Sequence, residues 1–110
     1  MVNPNIIKRW LKLNTTLCDA IRDGEIIEFE YNGMVRIVEP FLYGKNTHGK
    51  DCLKAYQIGG FNTSEDSSYV WDTYEVEKMG TVKFVGKKFE DHRAGYNPND
   101  PEFESFYCKF

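Results

Sequence analysis

The side chains able to do chemistry in this 110-residue chain are suited to holding a ligand rather than to making or breaking bonds. Arg36, Tyr56, Trp71, Arg93 and Tyr96 are the residue types that fork onto anions or stack on rings. Covalent chemistry has less to work with. A hydrolytic triad needs a base beside a nucleophile. The two histidines are His48, in a glycine-flanked loop, and His92, in a charged run, and both read as solvated. There is no HxxxH, CxxC, Asp-rich calcium loop, P-loop or GxGxxG. The sequence therefore calls for no metal, no cofactor and no enzymatic activity.

Arg36 is the sharpest of these residues because of where it stands. In "EYNGMVRIVEPFLYG", residues 30–44, it interrupts an apolar strand. Strand alternation puts Arg36 on one face with Met34 and Val38, and Val35 and Ile37 on the other. A guanidinium over such an apolar shelf is less hydrated than one on an open surface, and it can fork onto a phosphate or carboxylate. Lys54 or Lys78 would add a second cation, and Tyr56 a ring. The alternative is structural: Arg36 pairs across the hairpin with Glu28 or Glu30, and Tyr56 and Trp71 are core or rim.

These residues need elements to carry them. Asn3-Pro4 is a helix start, and Ile6, Ile7, Trp10, Leu11, Leu17 and Ile21 follow at helical spacing. A helical segment is expected over 4–23, either unbroken or interrupted near 14–16 where Thr16 and Asp19 offer a second cap, with an end at Gly24. From Glu25 the period becomes two. Asn32-Gly33 is a hairpin turn, and the return strand runs 34–43 with a bend or bulge at Pro40. Further strands are expected at 53–58, 69–76 and 81–85. A flexible loop is expected at 59–68 and a bend at Gly80. The Pro-rich stretch after Phe89 leads to Phe103, Phe106, Tyr107 and Phe110, an aromatic tail that should pack back on the strands, with "FESFYCKF" as an added strand. The reading is one domain, 1–110: helical segment 4–23, a small five-stranded barrel 25–86, and an extension 87–110. Closing the barrel would remove exposed edges.

Composition agrees with a globular domain: 41% hydrophobic, 28% charged and 15% aromatic, with a net charge of −3 that rules out a surface devoted to phosphate. Any cationic patch is local, around Lys83, Lys87, Lys88 and Arg93. Three cysteines without CxxC spacing, no secretory segment and no long apolar run point to a reducing, cytoplasmic setting away from the membrane. In that setting the glycosylation-like triplets at Asn14 and Asn62 carry no meaning.

The runs "AIRDGEIIEFEYNGMVRIVEPFLYG", "LKAYQIGG" and "WDTYEVEKM" resemble a WYL domain. That family has a helix ending in Ala-Ile, a strand to an aromatic and a short turn. An Arg a few residues before a Pro follows, here Arg36 and Pro40, and then the strand bearing the Trp-Tyr-Leu run. The similarity covers roughly 17–85, and "GYNPNDPEF" is similar to the continuation of compact, stand-alone bacterial members. The resemblance implies an SH3-like or Sm-like barrel that senses ligands, in bacterial transcription regulation, CRISPR control, DNA damage or phage defence. It implies a nucleotide-like or single-stranded nucleic-acid ligand. Arg36 matches the family's cation. Of the naming run, at Asp51, Cys52 and Leu53, only Leu survives, and the Arg-rich segment falls on Asp72, Glu75 and Lys78, two of them acids. The helical segment is too short to be a whole helix-turn-helix. The ligand-binding set is thus Arg36, Lys54, Tyr56, Trp71, Lys78 and Arg93, and a protein partner or a second copy stands as the other kind of partner. The competing function is a protein-interaction or structural barrel that has lost the ligand site.

Overall fold

The computed structural model describes residues 4–61 and 70–110, and the side chains of all of these except 4–7, 9 and 10. The N-terminal segment is one helix, α1 (Pro4–Asp23), followed by strands β1 (Glu25–Tyr31), β2 (Met34–Asn46), β3 (Asp51–Gly60) and β4 (Trp71–Glu75). A single 3-10 turn, Val76–Lys78, leads to β5 (Lys83–Lys88), and the chain ends on β6 (Phe103–Lys109). Of the two readings at 14–16, the unbroken helix is the one that forms. Thr16 donates its hydroxyl to the Lys12 carbonyl at 2.8 Å, a bond made within a continuing helix rather than at a cap. Asp19 pairs with Arg22 one turn on, at 2.9 Å. Of the loop expected over 59–68, Gly59 and Gly60 instead end β3; the rest of it from 62 on, the Asn62 triplet and the side chains of Ile6, Ile7 and Trp10 lie outside the described residues.

The Asn32-Gly33 turn is as its residues require: both have positive φ, 53° and 77°, the conformation of the mirror-image hairpin turn. It fixes Tyr31 opposite Met34 and Phe29 opposite Arg36. The sheet order is β4-β3-β2-β1-β5, with β6 added on β2, all antiparallel. β2 is the spine. Residues 34–38 pair with β1, residues 42–46 pair with β6, and β3 lies along the opposite edge. Pro40, which has no N–H to donate, sits where β2 passes from one partner to the other, at a register shift.

The expected barrel of five strands is instead an open sheet of six. β4 and β5, at the ends of the strand order, are not paired with each other. After β4 the chain turns through Val76–Lys78, and Met79 makes one bridge to Tyr31 before β5 joins β1. The result, among the described residues, is a mainly β domain with one α-helix.

Both sheet faces are apolar, and each has its own cover. On one face Leu17, Ala20 and Ile21 of α1 pack against Ile27, Phe29, Val38, Tyr43, Leu53 and Tyr74. On the other, Phe41, Leu42 and Cys52 are covered by Phe89, Phe103 and Tyr96 of the extension. Within the tail, Phe103 is buried, Phe106 is half-buried, and Phe110 is 38% exposed although its ring meets Phe41 and Phe89 at 5.2 and 5.0 Å.

The three cysteines, read from the sequence as a sign of a reducing setting, include a bonded pair. Cys18 of α1 and Cys108 of β6 form a disulfide, with Cα atoms 5.6 Å apart and 90 residues between them in sequence. Cys52 is the free thiol, and it is buried. Among the described residues no helix is long and apolar enough to cross a membrane.

Candidate functional site

Arg36 projects from β2 onto the face that α1 covers, beside Phe29 and Val38, and is 3% exposed. Its guanidinium carbon lies 5.9 Å from the centre of the Tyr31 ring, near the limit of a cation–π contact. One Nη donates a long bond, 3.4 Å, to the Tyr31 carbonyl. Nε is buried with no hydrogen-bond partner. No carboxylate pairs with Arg36 among the described residues. Glu28 and Glu30 stand opposite Ile37 and Val35, so alternation sends them to the other face of the sheet. The cross-strand salt bridge that was the structural alternative for Arg36 is therefore not made.

Three aromatic rings build the surroundings of Arg36. Phe29, Tyr31 and Tyr74 meet edge to face, with Tyr74 5.0 Å from Phe29 and 5.1 Å from Tyr31. The Tyr74 hydroxyl is buried and makes no hydrogen bond of good geometry among the described residues, although the Arg36 side chain is close enough to interact with it. Burial and the nearby charge of Asp72 push it above the ordinary phenol range, against the pull of the Arg36 charge. The Tyr31 hydroxyl accepts the Glu75 N–H at 3.1 Å, which holds that ring in place. Among the described residues, a buried guanidinium whose Nε–H has no partner and a buried phenol whose nearby polar group is that guanidinium thus share one aromatic corner. Such groups cost free energy until a partner satisfies them.

The other five residues of the expected set do not join Arg36. Lys54, Tyr56 and Trp71 stand on the opposite face with Arg93, and there the extension occupies them. The Arg93 guanidinium forks onto the Glu39 carboxylate at 2.7 and 3.0 Å and lies 4.8 Å from the Tyr56 ring centre. Glu39 is 5% exposed, so this is a two-pronged pair with one buried partner. Trp71 donates its indole N–H to the Ala94 carbonyl at 2.8 Å and packs on Phe41, Tyr56 and Tyr96. Gly95 makes that approach possible: a Cβ there would lie 3.1 Å from the indole nitrogen, and φ is +88°.

Lys54 is held by Asp100 and Glu102, and Glu102 also accepts the Thr73 hydroxyl at 3.1 Å. Burial alone would raise the Asp100 carboxyl, but hydrogen bonds from Lys54 and from the Glu102 amide outweigh it and hold the group below its ordinary value. Lys78 lies in the 3-10 turn, exposed, and pairs with Glu75 at 2.8 Å.

One concavity is a groove of about 890 Å³. It runs between Lys12, Leu13 and Thr16 of α1 and Val76, Met79 and Val82 of the β4–β5 connection, and none of the six expected residues lines it. Tyr31 and Tyr74, absent from the expected set, share the corner with Arg36. The hairpin register carries part of that signal, because a two-residue turn at 32–33 puts 29 opposite 36 and 31 opposite 34. Searches against protein-family models, curated proteins and solved structures give no significant match to this chain.

Proposed function

We infer that this chain is a non-enzymatic, ligand-sensing module of the WYL type, its six-stranded sheet a variant of the SH3-like or Sm-like barrel. It serves as an accessory regulator in the cytoplasm and takes a nucleotide-like or short single-stranded nucleic-acid ligand. The observation that carries this reading is Arg36: a guanidinium 3% exposed, its Nε unpartnered, with no carboxylate in reach among the described residues. A buried unpaired charge is costly to a fold. A phosphate group offers what the corner lacks, an acceptor for Nε and for the Tyr74 hydroxyl, and the three rings suit a base. Because Arg36 is so enclosed, the ligand enters with a local opening of the corner.

The test is titration of labelled mononucleotides and short oligonucleotides with wild type and Arg36→Ala at two ionic strengths. Binding that weakens with salt, and falls at least tenfold in the variant, is the expected result. No binding to any of these ligands, or equal binding by both proteins, overturns the reading.

One observation favours a second reading, a protein-interaction or structural domain without a ligand site. Lys54, Trp71 and Arg93 are each engaged by groups of the chain itself. Under that reading wild type binds no nucleotide, and Arg36→Met raises stability at no cost in activity.

A further inference from the structure

The Cys18–Cys108 bond joins the first element of the fold to its last strand. Each end is held independently. Leu17, Ala20 and Ile21 bury the C-terminal half of α1 against the sheet. The ladder to β2, the buried Phe103, and the Tyr107 hydroxyl donating to Asp51 at 2.7 Å hold β6. Both bonded cysteines are half-buried, within reach of a small thiol. Cys52 is different: it is 1% exposed, and burial pushes its thiol up to about 11, so it is a poor competitor in exchange. The same helix that the bond anchors forms one wall of the 890 Å³ groove, through Lys12, Leu13 and Thr16.

We propose that the Cys18–Cys108 disulfide is a thiol–disulfide switch that sets how firmly α1 is held on the sheet, and with it the width of the groove beside α1. The reductant is a low-molecular-weight thiol. Its thiolate attacks one sulfur of the bond and releases the other cysteine as a thiolate, leaving a mixed disulfide. A second thiol, or the other arm of a dithiol, attacks the mixed disulfide and frees the remaining cysteine. Two electrons pass to the protein, each cysteine sulfur gains a proton, and the reagent leaves as its own disulfide. Oxidised, the bond closes a loop of 90 residues and removes states in which α1 is lifted while β6 stays paired. Reduced, the sheet keeps its ladders and only the helix gains freedom.

The test uses the full chain with and without dithiothreitol. Alkylation in denaturant followed by intact mass should add one label before reduction, on Cys52, and three after it. Hydrogen exchange should then speed up about tenfold in α1 on reduction, with β1, β2 and β3 nearly unchanged. The double variant Cys18→Ser/Cys108→Ser should match the reduced protein; should it fail to fold, the wild-type comparison decides alone. Three labels without reductant overturn the proposal. So does unchanged exchange in α1, or a loss of protection throughout the sheet, which would make the bond a general staple.

Discussion

Arg36 carries a charge into a corner where Phe29, Tyr31 and Tyr74 supply rings and the one hydrogen bond its guanidinium makes among the described residues is a long one to the Tyr31 carbonyl. A fold selected for stability alone gains by replacing such a group, since well-packed apolar side chains outperform buried charges. Arg36→Met should therefore fold and should melt no lower than wild type, by chemical denaturation, while losing ligand. A loss of more than about 2 kcal/mol would mean that Arg36 is structural. Glu39 makes the opposite case. It is buried and answered by the Arg93 fork. Glu39→Ala should cost roughly 2 kcal/mol, below the 3–5 of a wholly buried pair because the Arg93 side chain is 43% exposed.

The elements that hold these residues differ in how they depend on solution conditions. Asp100 is held below its ordinary value in the folded chain by Lys54 and the Glu102 amide. Its contribution is thus fully present above the unfolded carboxyl pKa, and is lost as pH falls through the lower, folded one. Acid titration should show the extension loosening below about pH 4, with Asp100→Asn flattening that part of the curve. In the tail, Phe103 is 7% exposed and Phe110 is 38% exposed. Phe103→Ala should cost about 3 kcal/mol and Phe110→Ala well under half of that, both read from urea midpoints. Local pattern announced many of these elements: the helix over 4–23, the Asn32-Gly33 hairpin, the irregularity at Pro40 and a strand in the tail. It did not announce which distant residues would meet. Lys54 finds Asp100, Glu39 finds Arg93, and Cys18 finds Cys108 across long separations, and nothing in periodicity encodes such partners. Four residues chosen as ligand-binding by type were for that reason assigned without their intramolecular partners.

At the scale of the whole molecule, the sheet is covered on both faces, by α1 on one and by the extension on the other. Composition and period were enough to place the protein among small mainly β domains. They were not enough to set strand number or closure, because β6 completes the spine strand β2 instead of joining β4 to β5. That arrangement leaves the two faces with different tasks. The extension's face holds Lys54 and Arg93 in pairs with its own carboxylates, and the helix's face keeps Arg36 buried without an acidic partner among the described residues. The account rests on that remaining cation. Its most direct test is the Arg36 Nε–Hε resonance, followed by nitrogen-15 NMR while a mononucleotide is added. The account predicts a slowly exchanging Arg36 signal that moves saturably with nucleotide, while the Arg93 signal stays in place. An Arg36 signal that stays fixed while other resonances report binding would contradict it.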